Sequence, residues 1–232
     1  MHRSKLYRSQ TEKFEKQQYP LTDALQILKD IPHVKFDETV ELAFKLGINP
    51  KQSDQSVRGA VTLPKGTGKK VTVAVVASGE AAEQAKAAGA DVVGMEDLIE
   101  KIKGGWLEFD SLIATPAAMP KVRPLGKMLG PRGLMPNPKV GTVTDNVANA
   151  VKEAKAGRVE FRADRGACIH VPVGKLSFTV EDLNVNCNTI IQAIQAARPA
   201  SAKGAYILSC TVCSTMSPGI KVKAGDFTRV VS

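Results

Sequence analysis

No apolar run in the 232 residues approaches the roughly 20 needed to cross a bilayer, so a membrane-spanning helix is not expected. Aromatic residues are scarce, 5% with a single Trp, which removes the material for a base-stacking platform of the single-strand type. There are only three histidines, His2, His33 and His170, and no H-E-x-x-H, G-x-S-x-G or aspartate-rich metal loop. Carboxylates stand mostly beside lysines on helical stretches, the pattern of a solvated face. These shortages leave little from which to assemble a catalytic site, and neither an enzyme nor a bound cofactor or metal is expected. The start, Met1 to Lys5, is basic but leads into polar sequence, so no secretory signal is expected.

Cysteine is also too sparse for a disulfide-stapled secreted domain. The four, Cys168, Cys187, Cys210 and Cys213, all fall in the last third. Cys210-Thr-Val-Cys213 has the spacing of a metal or redox pair, and Cys168 with His170 could complete a zinc set. The segment 205–213 reads as a strand, however. Positions three apart on a strand face opposite sides, so free thiols are expected there. A thioredoxin-like site needs a helix after the second cysteine, and none follows.

What the chain has is positive charge. Lys and Arg number 32 against 23 Asp and Glu, a net +9, and the pI is near 9.4. That surplus fits a polyanion. No basic amphipathic helix with bulky apolar anchors is apparent, which argues for nucleic acid over a membrane face. With so few aromatics, such binding should read backbone and shape. The surplus does not point to a face, being +3 in each of the segments 1–66, 67–159 and 160–232.

The chain changes texture along its length. A helix is predicted after Tyr19-Pro20-Leu21, with Ala24, Leu25, Ile27 and Leu28 on one face and Thr22 or Asp23 as cap. Val40, Leu42, Phe44 and Leu46 recur with period two and predict a strand ending at Gly47. Residues 58–64 predict another. After Lys65-Gly-Thr-Gly-Lys-Lys70 the pattern becomes alternating strands and helices. Strands are predicted at 71–77, 92–93 and 112–114, and helices at 81–88, 95–103 and 147–156, with Gly89 and Gly157 as stops. Single helices between strands mean a parallel sheet. The middle is therefore read as a small Rossmann-like module, although no G-x-G-x-x-G follows its first strand. Past Gly157, alternation returns. Val159, Phe161 and Ala163 share a face, Arg165-Gly166 suggests a turn, and residues 168–173 run back as a hairpin partner. A helix over 181–197 and short strands at 206–213 and 220–223 complete the chain.

The last third thus resembles the first third and not the middle. The expected architecture is α/β with two domains. One is a split α+β domain with an antiparallel sheet, residues 1–66 plus 158–232. The other is an inserted Rossmann-like α/β domain, residues 67–157. The two crossings, at Gly66-Thr67-Gly68 and Ala156-Gly157, are expected to act as a hinge. The lysine- and glycine-rich crossing has the wrong spacing for a phosphate loop, and a strand instead of a helix follows it.

From Ser111 to Thr144 there are five basic residues, no acid and six prolines, so much of that stretch is expected to be loop. Its densest part, Lys127-Met-Leu-Gly-Pro-Arg-Gly-Leu-Met-Pro-Asn-Pro-Lys139, carries two readings. It is either a loop shaped by packing or a preformed basic projection with Arg132 at its tip.

This string, continuing through G-T-V-T and V-K-E-A-K-A-G-R-V-E-F-R, resembles the signature of the family of the first protein of the large ribosomal subunit, in its bacterial form. Phe36-Asp-Glu-Thr-Val-Glu41, Asp54-Gln-Ser-Val-Arg-Gly59, Gly89 to Gly94, Glu96 to Trp106, Lys203 to Tyr206 and Ser214-Thr-Met-Ser-Pro-Gly219 extend the likeness over essentially the whole chain. The resemblance implies a non-catalytic protein of the mobile stalk beside the tRNA exit site. Such a protein is monomeric when free and ribosome-bound in the cytoplasm. Its partners would be the stalk segment of large-subunit rRNA, exit-site tRNA and, as a translational repressor, its own messenger. Carried over by motif, the rRNA-facing residues are Lys35, Phe36, Thr39 and Glu41 on one strand and Thr215, Met216 and Ser217 on the late loop. Arg162, Asp164 and Arg165 on the hairpin are expected to flank them. Arg58, Arg132 and Lys139 are candidate tRNA-facing charges, and Gly66, Gly68 and Gly157 the hinge. Ser217 stands where bacterial members usually have glycine. If that glycine serves a positive φ or a close approach to RNA, Ser217 weakens binding or shifts the loop.

Overall fold

A computed structural model describes residues 3–223; Met1 and His2 of the basic start lie outside them. In chain order the described residues form α1 (Lys5–Thr11), β1 (Gln18–Tyr19), α2 (Leu21–Asp30), β2 (Thr39–Leu46), β3 (Arg58–Thr62), β4 (Val73–Val76), α3 (Glu80–Ala87), β5 (Val92–Gly94) and α4 (Glu96–Lys103). There follow β6 (Ser111–Ala114), α5 (Met119–Val122), α6 (Gly126–Leu129), α7 (Val147–Lys155), β7 (Arg158–Arg162), β8 (Cys168–Lys175), α8 (Val180–Ala196), β9 (Ile207–Ser214) and β10 (Ile220–Val222). The fold is mixed α/β, and the chain divides into two compact units. One holds the residues up to Gly68 together with those from Val159 on, and the other holds Lys69–Arg158.

In the first unit the period-two stretch becomes the central strand of a five-stranded sheet ordered β1-β10-β9-β2-β8. β2 pairs antiparallel with β8 on one side and β9 on the other. Val40, Leu42, Phe44 and Leu46 all point into the core. They meet Ile169, Val171 and Val173 of β8, Cys210 and Val212 of β9, and the apolar stripes of α2 and α8. Those helices cover one face only. The other face keeps its alternate residues at least partly exposed, as antiparallel strands packed on one side allow; the sheet is mixed, however, because the edge pair β1 and β10 is parallel. Helix α2 opens directly after Pro20 with no side-chain cap, so neither Thr22 nor Asp23 fills the expected role. Proline's preset φ supplies the start instead.

The predicted hairpin is not formed. β7 pairs with β3 in a separate two-stranded sheet, while β8 belongs to the large sheet. Two local features send the strands apart. At Gly59 a Cβ would sit 2.6 Å from the ring of Phe161, so glycine makes the room that lets β7 lie against β3. Beyond β7, Ala163 N–H continues that pairing to the Val57 carbonyl. The turn itself is held by Asp164, whose Oδ1 accepts from the N–H groups of Gly166 and Cys168 at 2.8 and 2.7 Å. The turn falls at Arg165-Gly166, as expected, and Ala167 follows it in the left-handed region, φ 58°.

In the second unit three parallel strands are ordered β5-β4-β6. All four residues of β4 are buried, because helices cover both faces. Val73, Val75 and Ile113 pack with Ala85 of α3 and Val147 and Val151 of α7. Ala74, Val76 and Leu112 pack with Leu98 and Ile102 of α4 and with Val122, Leu125 and Leu129. The last three limit the expectation of loop, which holds for residues 115–118 and 130–137 but not for 119–129. Residues 119–129 form α5, a 3-10 turn at Arg123–Leu125 and α6, with Pro120 and Pro124 in first-turn positions of the first two, where no N–H is missed. Apolar residues at 122, 125 and 129 give it a core-facing side.

Candidate nucleic-acid interface

Glu38 lies one step before β2, in the inward phase of its alternation, and is fully buried. A lone buried carboxylate is costly, but this one is surrounded by donors. Its Oε1 accepts from Val34 N–H at 3.2 Å and faces His33 Nδ1 at 3.2 Å. Its Oε2 accepts from Ser214 Oγ and from Met216 N–H, the latter at 3.0 Å. Burial pushes its carboxyl up, but the bonds from Ser214, Met216, Val34 and His33 together outweigh it and hold the carboxyl below its ordinary range. His33 Nε2 is 2.7 Å from the Leu28 carbonyl. Both ring nitrogens therefore face acceptors, and both contacts are hydrogen bonds only in the imidazolium form.

The consequence is geometric. One buried carboxylate ties the segment 33–39 to the loop 214–217, and the residues presented by those two segments end up side by side. Thr39 N–H donates to Thr215 Oγ1 at 3.1 Å, and Glu41 lies opposite Cys213. Lys175 Nζ donates to Thr39 Oγ1 at 2.9 Å. Phe36 and Met216 stand out from this edge, 54% and 50% exposed. Lys35 is exposed and, among the described residues, has no ion pair. Ser217 does not have a positive φ. Its hydroxyl accepts from Ser214 N–H at 2.8 Å and so closes the turn, which answers the conformational concern about a missing glycine.

From this end the open sheet face runs along β2 through Glu41, Ala43 and Lys45, with Pro172, His170 and Cys168 beside them on β8 and Thr211 and Cys213 on β9. Glu41 Oε1 is 2.7 Å from His170 Nδ1. Cys213 is on this face, while Cys210 turns into the core. The two therefore point apart across the sheet. Burial and the neighbouring Glu41 push the Cys213 thiol up.

Arg162, Asp164 and Arg165 do not flank the 36–41 and 215–217 cluster. They sit past the other end of β8, where Cys168 is opposite Lys45. Thr39 and Lys45 are six residues apart on β2, about 20 Å of strand. There the three line a cleft of about 420 Å³ with Pro50, Gln55, Ser56 and Ala163. Arg58 is on β3 of the first unit and is 3.5 Å from Glu160. Arg132 and Lys139 are in the second unit, exposed, and without an ion pair among the described residues. The three glycines expected at the hinge, Gly66, Gly68 and Gly157, have φ of 68°, 72° and 99°. The first two are held firmly by the first unit. Asn186, buried in α8, accepts from Lys65 N–H and donates to the Gly66 and Val173 carbonyls. At Gly68 a Cβ would lie 2.8 Å from Lys175 Cγ.

Sequence reasoning missed Glu38, Ser214, His33 and Asn186. The signal for Glu38 was present, since an acid occupies the inward phase of an otherwise apolar alternation. Nothing local marks the other three.

Comparison with known proteins places the chain first in a class and then in a family. Residues 28–218 match ribosomal proteins, structural components and not enzymes. The family is Ribosomal protein L1p/L10e, and the chain belongs to it. It is 54% identical over 204 residues to the large ribosomal subunit protein uL1 of Lactobacillus acidophilus, covering 88% of this chain and 89% of the relative. It is 55% identical over 206 residues to that of Alkalilimnicola ehrlichii, covering 89% of each. No helix among the described residues is long and apolar enough to cross a membrane.

Proposed function

We propose that the chain is a structural constituent of the large ribosomal subunit that grips the mobile stalk segment of its rRNA. The grip is the edge made by Lys35, Phe36, Thr39 and Glu41 with Thr215, Met216 and Ser217, continued along the open sheet face. The observation that supports it best is the convergence of these two distant segments on Glu38, which preorganises an exposed apolar pair, Phe36 and Met216, among polar groups. Such an edge suits the wide minor groove of A-form RNA, where ribose edges offer hydroxyls and apolar surface. In this reading the split unit, 1–66 plus 158–232, is the rRNA-binding domain and 67–157 an inserted Rossmann-like domain. The inserted domain moves on the crossings near Gly68 and Gly157 and offers Arg132 and Lys139 to departing exit-site tRNA. Arg58, paired with Glu160, contributes less to that role. A messenger that copies the rRNA site would be bound by the same edge, giving translational repression.

The test is affinity for a stalk rRNA fragment, with thermal unfolding measured in parallel. Phe36→Ala and Met216→Ala remove exposed groups, so each should weaken binding about tenfold, or 1.4 kcal/mol, without lowering Tm. Lys139→Ala with Arg132→Ala should leave that affinity within twofold. If the second pair weakens stalk binding and the first does not, the edge is not the interface.

A further inference from the structure

The cleft at the far end of the sheet is not explained by that edge. It is about 420 Å³, within the range of small-ligand sites. Arg162 and Arg165 line it, both exposed, and among the described residues neither guanidinium has an ion pair or hydrogen bond. Asp164, between them in sequence, does not neutralise them. Its Oδ1 is fully used by two backbone N–H groups, whereas Oδ2 has no partner among the described residues. The N–H donors of Cys168 and Gly166 hold its carboxyl below the ordinary range, so it is an acceptor at neutral pH. Pro50 and Ala163 add apolar wall, and Ser56 adds a hydroxyl.

Two unpaired guanidiniums beside one free carboxylate oxygen match a definite chemistry. The guanidiniums suit a phosphate. An acceptor-only oxygen with two lone pairs suits adjacent N–H donors, and among the common bases only guanine shows two, N1–H and N2–H, side by side. Adenine and cytosine put a ring-nitrogen acceptor next to their amine, and uracil flanks its single N–H with carbonyls. A carboxylate repels those acceptors. We propose that this cleft seats one unstacked guanine nucleotide, with its phosphate on Arg162 and Arg165 and its N1–H and N2–H on Asp164 Oδ2. The proposal rests on the reading of the chain as an RNA-binding protein and adds a second, base-reading point about 20 Å along the sheet from the first. The same chemistry is carried by a guanine splayed from bound RNA and by a free guanine nucleotide.

Asp164→Asn separates turn from recognition. Its amide oxygen can keep both backbone N–H groups while the free acceptor becomes a donor. The probes are GMP, IMP, AMP and inorganic phosphate, titrated into the full chain to about 10 mM and followed by amide shifts at Gln55, Ser56, Ala163 and Asp164; millimolar affinity saturates there. The expected result is GMP bound about tenfold more tightly than IMP or AMP, with the preference erased in Asp164→Asn. All binding should be lost in Arg162→Ala with Arg165→Ala. Stalk rRNA affinity is then compared for wild type and Asp164→Asn. A loss of about tenfold makes the occupant a guanine of the RNA, and no loss makes it a free nucleotide. No shifts with GMP, or equal shifts with all four probes, would overturn the seat. Failure of the Phe36 and Met216 variants to affect stalk binding, with GMP still selected, would overturn the edge and leave the seat standing.

Discussion

Glu38→Gln is the sharpest perturbation available, because it exchanges a single oxygen for an NH2 at the point where two chain segments meet. The carboxylate accepts from Val34 N–H, His33, Ser214 Oγ and Met216 N–H, two at each oxygen. Glutamine keeps one acceptor oxygen and turns an NH2 toward the remaining pair. Two charge-assisted bonds are lost and donors are brought against donors, in a site with no exposure to water. At about 1.5–3 kcal/mol for each such bond, the expected loss is about 3–6 kcal/mol. That is a large share of the 5–15 kcal/mol typical of a folded domain. The assay must report on the right unit. Trp106, the single tryptophan, lies in the second unit, so its fluorescence would miss the event. Urea unfolding followed by hydrogen exchange at β2 and β9 amides reads it directly. The variant also has a pH signature. Because the folded carboxyl lies below its unfolded value, the unfolded chain takes up the proton first as acid is added. The stabilisation is complete above the unfolded pKa of about 4.3 and is lost as pH falls through the folded value. Glu38→Gln should lack that part of the acid dependence. A loss under about 0.5 kcal/mol, or an unchanged acid slope, would refute the claim that Glu38 holds the two segments together.

Three further outcomes follow from individual contacts. Ser217→Gly removes the acceptor of Ser214 N–H and should cost about 1 kcal/mol in urea unfolding; a gain in stability would mean that serine strains the turn. Gly68→Ala sets a Cβ at φ 72° against Lys175 and should lower stability by about 1–2 kcal/mol, read by the exchange rates of β8 amides. An unchanged rate would show the crossing to be loose. Cys187 and Cys210 are buried, which pushes both thiols up, that of Cys210 to about 12. In native protein at pH 8 a disulfide reagent should therefore label neither, and denaturant should expose both. Prompt native labelling of either would contradict the packing of α8 on the sheet.

The composition of the chain and its periodicities were enough to read most of its elements. Val40, Leu42, Phe44 and Leu46 declare β2, and the helical spacing of Leu183, Ile190, Ile191 and Ile194 declares α8, because burial on one face imposes a period on local sequence. The apolar run at Val73–Val76 declares a strand covered on both faces. The long motifs likewise made the family legible. Helix α5 and the 3-10 turn after it were obscured by Pro120 and Pro124, which sit in first-turn positions where no N–H is missed.

Partnership was not legible, since it depends on residues far apart in the chain. Two adjacent strands joined by a turn read as a hairpin, yet β7 goes to β3, because only packing reveals that Phe161 needs the space at Gly59. Arg162, Asp164 and Arg165 looked like neighbours of Thr215. The antiparallel register of β2 with β8 puts them at the opposite end, beside Gln55 and Ser56. Glu38 reads locally as a charge out of place in a strand. It becomes intelligible only when residues 176 and 178 positions later in the chain, Ser214 and Met216, return to donate to it. Sequence determined which stretches would be strand or helix and which family they spell. Tertiary structure alone decided which polar groups meet, because hydrogen-bond partners are chosen by proximity in space, and periodicity carries no record of that.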